Sequence, residues 1–85
     1  MFKYAAYQCK NVAGRSEAQK QALTEKLVAA VKETLGGSED YITVAIEEID
    51  SSAWPKAVYK PEIVDKADKL YKKPGYGYSK EELEG

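Results

Sequence analysis

The sequence predicts an α+β fold with the order β-α-β, in which one long helix joins two parallel strands. Residues 2–9 and 41–49 alternate loosely between apolar and polar side chains, a pattern typical of β-strands. Residues 16–35 repeat apolar side chains at helical spacing. Since a helix of this length between paired strands forms a crossover, we expect the two strands to be parallel.

The predicted helix begins and ends at recognisable cap residues. Ser16 and Gln19 have the spacing of a capping box, in which each side chain accepts a hydrogen bond from the other residue's backbone N–H. Gly36 and Gly37 follow the last apolar position, and glycine readily adopts the left-handed conformation that ends many helices. The stripe expected to face the sheet consists of Leu23, Leu27, Val28, Ala30, Val31 and Leu35.

Each predicted strand has two distinct faces. The first strand places Phe2, Tyr4 and Ala6 on one face and Lys3, Ala5, Tyr7 and Cys9 on the other. The second strand places Ile42, Val44 and Ile46 on one face and Tyr41, Thr43, Ala45 and Glu47 on the other. The helix can cover only one face of this sheet, whereas parallel sheets normally have both faces buried. A two-stranded sheet is also marginal alone, so we expect the chain to self-associate.

The C-terminal part is predicted to contain one short helix. Pro61 suits the first turn of a helix, and apolar side chains at helical spacing follow it. Pro74 ends this pattern. Ser79 and Glu82 then repeat the spacing of a capping box near the end of the chain.

Composition narrows the class of protein. The 85 residues carry a net charge of −1, which favours neither nucleic acid nor an anionic membrane as a partner. Histidine is absent and Cys9 is the only cysteine, so a histidine-based metal site and a disulfide within the chain are excluded. No apolar run suits a signal peptide or a membrane span, and we expect a cytoplasmic protein. One domain over residues 1–78 and a polar tail over 79–85 are predicted.

Arg15 is the first candidate for chemistry, because it lies at the predicted helix N-terminus. It can belong to an anion site there, or it can be a loop cation paired with a nearby glutamate. Trp54 is interpreted first as an anchor of a core or an interface. Cys9 is expected to be a buried strand residue, since no histidine is available to activate its thiol. Glu47 and Glu48 point to opposite faces of one strand and cannot form a carboxylate pair.

Several motifs in this order resemble the 4-oxalocrotonate tautomerase family. They are Gly14-Arg15-Ser16, a helix that opens "SEAQKQAL", a strand that ends "AIEEI", and a tryptophan five residues further on. The segments "PEI" (61–63) and "LYKKPGY" (70–76) are similar to the short dimeric branch of that family, whose chains end in a like Lys-Lys-Pro-Gly-Tyr segment. The order and spacing of these motifs carry the resemblance.

The resemblance implies a fold, an assembly and a reaction. Family members are β-α-β protomers that form a four-stranded sheet across a dimer. They tautomerise small carbonyl acids between keto and enol forms without any cofactor or metal. Their base is an amino-terminal proline, exposed when the initiator methionine is removed. The arginine that matches Arg15 steadies a carboxylate or the developing enolate, and an aromatic residue near Trp54 forms an apolar wall.

The sequence departs from the family pattern at the base. Position 2 is Phe2 rather than proline, which favours retention of Met1 and leaves its α-amine as the candidate base. Thr43 stands where larger tautomerases often carry a second arginine. We therefore predict Arg15 and the Met1 α-amine as catalytic groups, with Phe2, Thr43 and Trp54 lining the substrate site. The predicted function is a weak or altered tautomerase, and the alternative is a non-catalytic ligand-binding or assembly module.

Overall fold

The structure, a computed structural model, describes residues 4–84. Strand β1 (Ala5–Val12), helix α1 (Glu17–Leu35) and strand β2 (Ile42–Ile49) come first, and the two strands pair in parallel as one sheet. A π-helix (Pro55–Val64) and helix α2 (Lys80–Glu84) follow. Two 3-10 turns cover Glu39–Tyr41 and Ala67–Lys69. The chain divides after Glu48 into two compact units, each described by itself. Among residues 4–84, no helix is both long and apolar enough to cross a bilayer.

Strand β1 extends further towards the helix than the sequence predicts. The predicted strand ends at residue 9, but residues 10–12 also belong to the strand. That expectation was wrong because the turn into the helix needs few residues: Gly14 reverses the chain with a φ of 117°, in the left-handed region that favours glycine. The predicted beginning of the strand, at Phe2 and Lys3, lies outside the described residues.

Helix α1 begins and ends where its caps predict. The N–H of Gln19 donates to Ser16 Oγ at 3.1 Å, and the N–H of Ser16 donates to Gln19 Oε1 at 2.9 Å, so the capping box is confirmed. At the other end Gly36 has a φ of 80°, and its N–H donates to the Lys32 carbonyl. The glycine ends the helix because its backbone leaves the right-handed region.

The buried stripe of α1 differs from the predicted one. The helix residues that are half-buried are Lys20, Thr24, Leu27, Val28 and Val31. Leu23, Ala30 and Leu35 were predicted to face the sheet, but they are exposed, Leu35 to 67%. Polar residues share the inward face, since Lys20 forms an ion pair with Glu48 of β2.

Strand β2 has the two faces that its alternation predicts. Ile42, Val44 and Ile46 are half-buried, and Val44 and Ile46 line a groove together with residues of α1. Tyr41 precedes the strand in a 3-10 turn rather than opening it. Exposed side chains of the strands and their flanks form what we call the open sheet face: Tyr4, Ala6, Gln8, Tyr41, Thr43, Ala45 and Glu47. Within it, the rings of Tyr4 and Tyr41 meet edge to face at 5.3 Å.

The first unit has an unfinished core. Among residues 4–48 every side chain is at least partly exposed. Tyr4 is 81% exposed and Leu23 is 38% exposed. Apolar area that stays in water contributes nothing to the free energy of folding, so this unit obtains only part of the hydrophobic stabilisation that its sequence offers.

The second unit contradicts the predicted helix at Pro61. Helical structure begins earlier, at Pro55, and Pro61 lies inside the π-helix. A proline ring clashes with the carbonyl four residues earlier in an α-helix. Here the hydrogen bonds shift by one residue, as in the bond of 2.9 Å from the Asp65 N–H to the Lys60 carbonyl. Val58 on this helix is 4% exposed and is the most deeply buried side chain of residues 4–84.

Aromatic side chains hold the end of the chain against the π-helix. The rings of Tyr59, Tyr76 and Tyr78 lie with their centroids 5.0–5.8 Å apart. Trp54 Nε1 donates to Tyr76 Oη at 3.0 Å, and Tyr59 Oη donates to the Tyr76 carbonyl at 3.0 Å. The predicted capping box of Ser79 and Glu82 is confirmed at the start of α2. The division into residues 1–78 and a tail stays a prediction.

The capping box of α1 gives a first test. Replacing Ser16 with alanine removes the acceptor for the Gln19 N–H, so we expect Ser16→Ala to lower the free energy of unfolding by about 1 kcal/mol. Urea unfolding followed by circular dichroism measures this change. Ser51→Ala is the control, because Ser51 is exposed and its side chain makes no hydrogen bond within residues 4–84. Equal stability of the two variants would contradict the role of the cap.

Candidate functional site

The turn between β1 and α1 presents three consecutive backbone amides, and each meets a side-chain oxygen. The Gly14 N–H donates to Glu48 Oε2 at 3.2 Å. The Ser16 N–H donates to Gln19 Oε1 at 2.9 Å. Between them, the Arg15 N–H interacts more weakly with the Glu48 carboxylate. The backbone on both sides of Arg15 is therefore fixed by hydrogen bonds to two different elements.

Glu48 binds this turn because of the topology of the fold. In a parallel β-α-β unit the strands end at one edge of the sheet, and the connecting helix begins at that same edge. Glu48 is the seventh residue of β2, so its carboxylate reaches the turn that leads into α1. Sequence reasoning missed this role by considering Glu48 only as a partner for Glu47. Its position near the end of the second strand was the available signal.

Lys20 completes the charge network around this carboxylate. Its Nζ lies 2.9 Å from Glu48 Oε1 and 2.8 Å from Glu17 Oε1. The hydrogen bond from Lys20, followed by the bond from the Gly14 N–H, holds the pKa of Glu48 below its usual 4.5. Hydrogen bonds to Glu17 and Glu48 raise the pKa of Lys20 above its usual 10.5. Both groups are therefore ionised at neutral pH.

The Arg15 side chain is exposed beside this network. Within residues 4–84 its guanidinium makes no hydrogen bond or ion pair. It lines a small cavity of about 160 Å³ together with Asn11, Gln19, Lys20 and Leu23. The glutamate that comes close to this residue binds its backbone, while the guanidinium charge remains available to an anion.

The other predicted site residues lie in different parts of the chain. Thr43 is exposed on the open sheet face. Trp54 is half-buried in the second unit and belongs to the aromatic group described above. Met1 and Phe2 lie outside the described residues. Cys9 is free and half-buried in β1. The structure thus defines the surroundings of Arg15, while the grouping of these residues into one site stays a prediction.

A larger groove runs between α1 and β2. It measures about 480 Å³, and its lining combines charged and polar helix side chains with two apolar strand residues. These lining residues are Glu17, Lys20, Gln21, Thr24, Glu25, Val44 and Ile46. Lys20 borders both this groove and the cavity beside Arg15.

Comparison with known proteins identifies the family. Residues 8–57 match the family model described as "Tautomerase enzyme". The tautomerase PptA of Pectobacterium carotovorum subsp. carotovorum (strain PC1) is 43% identical over 63 residues, which are 74% of this chain and 83% of that protein. The 2-hydroxymuconate tautomerase of Bacillus subtilis (strain 168) is 52% identical over 40 residues, covering 47% of this chain and 64% of that protein.

A solved structure agrees with these matches. YwhB, described as a homologue of 4-oxalocrotonate tautomerase, superposes with a TM-score of 0.54 at 44% identity, over 56% of this chain and 79% of that chain. The fold is that of a tautomerase-like β-α-β protein. This chain belongs to the tautomerase family and is related to 4-oxalocrotonate tautomerase. The resemblance is confirmed, while the assignment to the short dimeric branch stays a prediction.

The ion pair of Lys20 and Glu48 predicts a defined pH dependence of stability. Because the pKa of Glu48 is lower in the folded chain, its contribution is complete above about pH 4.5 and is lost as the pH falls through the folded value. The raised pKa of Lys20 keeps its contribution complete up to about pH 10.5, and this is lost as the pH rises through the folded value. The stability advantage of the parent over Glu48→Gln should therefore disappear in acid.

Urea midpoints measured from pH 7 to pH 2.5 provide the check. Glu33→Gln is the matched control, because Glu33 is exposed on α1, outside the open sheet face, and makes no hydrogen bond or ion pair within the described residues 4–84. A parent and a Glu48→Gln variant with parallel pH profiles would contradict the assigned ion pair.

Proposed function

We propose that this chain is a cofactor-independent tautomerase that interconverts keto and enol forms of a small carbonyl acid, at a weak or altered rate. The observation that carries the proposal is the state of Arg15. Its backbone is held on both sides by hydrogen bonds, and within residues 4–84 its guanidinium is unpaired beside a cavity. A cation that projects from an anchored backbone and can meet an anion suits the stabilisation of an enolate.

The proposed reaction needs one base and one electrostatic partner. The base removes a proton from an oxygen or a carbon of the substrate, the electron pairs shift along the conjugated system, and the proton is returned at another atom. No electrons are gained or lost, so no redox cofactor is required. We assign the base to the α-amine of Met1, whose ordinary pKa of about 7.7–8.0 lies near neutral pH. Arg15 stabilises the negative charge, and Phe2, Thr43 and Trp54 line the substrate site.

The proposed substrates are enol forms of small carboxylic acids. The Bacillus subtilis relative is named for 2-hydroxymuconate, which makes this dicarboxylate the first substrate to assay. Phenylenolpyruvate, which has a single carboxylate, is the second. Ketonisation of either compound is measured as a decrease in its ultraviolet absorbance.

A non-catalytic role is the second candidate function. It is favoured by Phe2 at the position where the family pattern has its basic proline, and by Thr43 in place of a second cation. Under this proposal the pocket binds a small acid or serves assembly without turnover. Phe2→Pro, produced so that the new proline becomes the first residue, separates the candidates. Activity gained by that variant over an inactive parent would show that the pocket remains competent and only the base was lost.

The activity itself provides the next test. Replacing Arg15 with alanine removes the proposed electrostatic partner, so we expect Arg15→Ala to lower kcat/KM by about 100-fold, the order found when one stabilising donor is removed. Lys26→Ala is the control, because Lys26 is an exposed helix cation without a hydrogen bond or ion pair in the described part of the chain. In a second experiment the α-amine of Met1 is acetylated. Ketonisation that survives both changes would refute the site assignment.

We also propose that the chain forms a homodimer, in preference to a hexamer, through its open sheet face. The support is the unfinished core of residues 4–48 and the exposed pair of Tyr4 and Tyr41. Large apolar side chains that one chain leaves exposed can be buried against a second copy. A cytoplasmic location is proposed as well, because a single cysteine suits a reducing compartment.

Substitution on the open sheet face tests the dimer. Ala45→Arg places a long charged side chain in the centre of this face, so we expect it to convert the dimer to a monomer in sedimentation velocity at micromolar concentration. Ala18→Arg makes the same chemical change at an exposed position of α1 and should leave the dimer intact. A parent that sediments as a folded monomer would refute the proposal directly.

A further inference from the structure

We propose that Glu48 is the positioning residue for Arg15: it fixes the backbone from which the guanidinium projects and keeps that guanidinium free for the carboxylate of a substrate. The inference rests on the proposed function, because it concerns how the same site binds an anion. It assigns to a strand residue of this chain a role that the motif Gly14-Arg15-Ser16 does not reveal.

Glu48 first anchors the backbone of the turn. Residues 13–15 belong to no helix or strand, so neighbouring backbone groups do not fix them. Glu48 supplies the missing acceptor for the Gly14 N–H, at 3.2 Å, while the capping box holds the Ser16 N–H. Without Glu48 the residue before Arg15 loses its tie to the sheet. A cation must be placed to within about an ångström to stabilise a transition state effectively, so this tie matters for the site.

The Glu48 carboxylate, in addition, has a hydrogen-bond donor at each of its two oxygens. A glutamate beside an arginine ordinarily forms a two-pronged pair with the guanidinium, which would neutralise it. Here Glu48 Oε1 accepts from Lys20 Nζ at 2.9 Å, and Oε2 accepts from the Gly14 N–H. Both oxygens have donors that are not the guanidinium. Glu48 therefore holds the turn while leaving the Arg15 charge available.

Lys20 also contributes, because it contacts the carboxylates of both Glu17 and Glu48. It is 19% exposed at its side chain and sits between Glu17 and Glu48, so it balances the carboxylate at close range. Lys20 also borders the cavity that Arg15 lines. Loss of the Glu48 charge would leave Lys20 paired with Glu17 alone and would remove this ion pair between α1 and β2.

A double-mutant cycle tests the proposal. Glu48→Ala should lower kcat/KM for 2-hydroxymuconate by about ten-fold in the parent and by less than about two-fold in the Arg15→Ala background. Glu48→Gln keeps one acceptor oxygen for the Gly14 N–H and should recover part of the loss. Glu33→Ala removes an exposed carboxylate of α1 that makes no hydrogen bond or ion pair within residues 4–84, and it is the matched control, expected to stay within about two-fold of the parent. A loss of equal size in both backgrounds would overturn the proposal, since Glu48 would then act independently of Arg15.

A measurement without turnover separates failure of the inference from failure of the proposed function. If the parent ketonises neither substrate, the tautomerase proposal fails. The affinity for cis,cis-muconate, measured by calorimetry, then takes the place of kcat/KM in the cycle. Glu48→Ala should then weaken muconate binding by about ten-fold in the parent but not in Arg15→Ala. Binding that is insensitive to Glu48→Ala, or absent altogether, would overturn the inference.

Nuclear magnetic resonance checks the hydrogen bond itself. The amide proton shifts of Gly14 and Arg15 should follow the titration of Glu48 below pH 4.5 and should lose this step in Glu48→Gln but not in Glu47→Gln. Amide shifts that ignore Glu48 would remove the geometric basis of the proposal. A variant that fails to fold shows itself in the same spectra, and Glu48→Gln then replaces Glu48→Ala in the cycle.

Discussion

The structure of the first unit depends on the meeting of two strand ends and one helix start at a single edge of the sheet. A parallel pair joined by a helix imposes this meeting whatever the side chains are. In this chain a carboxylate occupies the junction, where it meets backbone donors of the turn and the ammonium of Lys20. The helix N-terminus carries partial positive charge, so an anion near it is stabilised. The chain topology and the helix electrostatics therefore both favour a carboxylate at position 48, where Glu48 lies.

Polar side chains share the inward face of α1. A helix with the stripe Leu23, Leu27, Ala30 and Leu35 would be expected to turn its leucines inward. Leu27 is half-buried, but so are Lys20 and Thr24, and Lys20 forms the ion pair with Glu48. Leu23 and Leu35 are exposed, and burial against another surface would recover their hydrophobic stabilisation.

The second unit achieves local order by different means. Its π-helix contains a proline that an α-helix would not accept without a kink. The rings of Tyr59, Tyr76 and Tyr78 pack against one another in edge-to-face and tilted arrangements. Tyrosine suits such a cluster because its ring packs while its hydroxyl finds a hydrogen-bond partner. A short segment with one buried side chain, Val58, thus acquires specific contacts.

The sequence by itself determined the class of the fold, the caps of α1 and the two faces of β2. Each of these depends on periodicity or on a local hydrogen bond, and both are visible in neighbouring residues such as Ser16 and Gln19. The family also followed from the sequence, through the order of short motifs around Arg15. Only the tertiary structure showed that Glu48 binds the turn, that Lys20 belongs to the inward stripe, and that Pro61 lies within a π-helix. The reason is physical: Gly14 and Glu48 are 34 residues apart, and a contact of that range exists only after the crossover has brought the strand ends together.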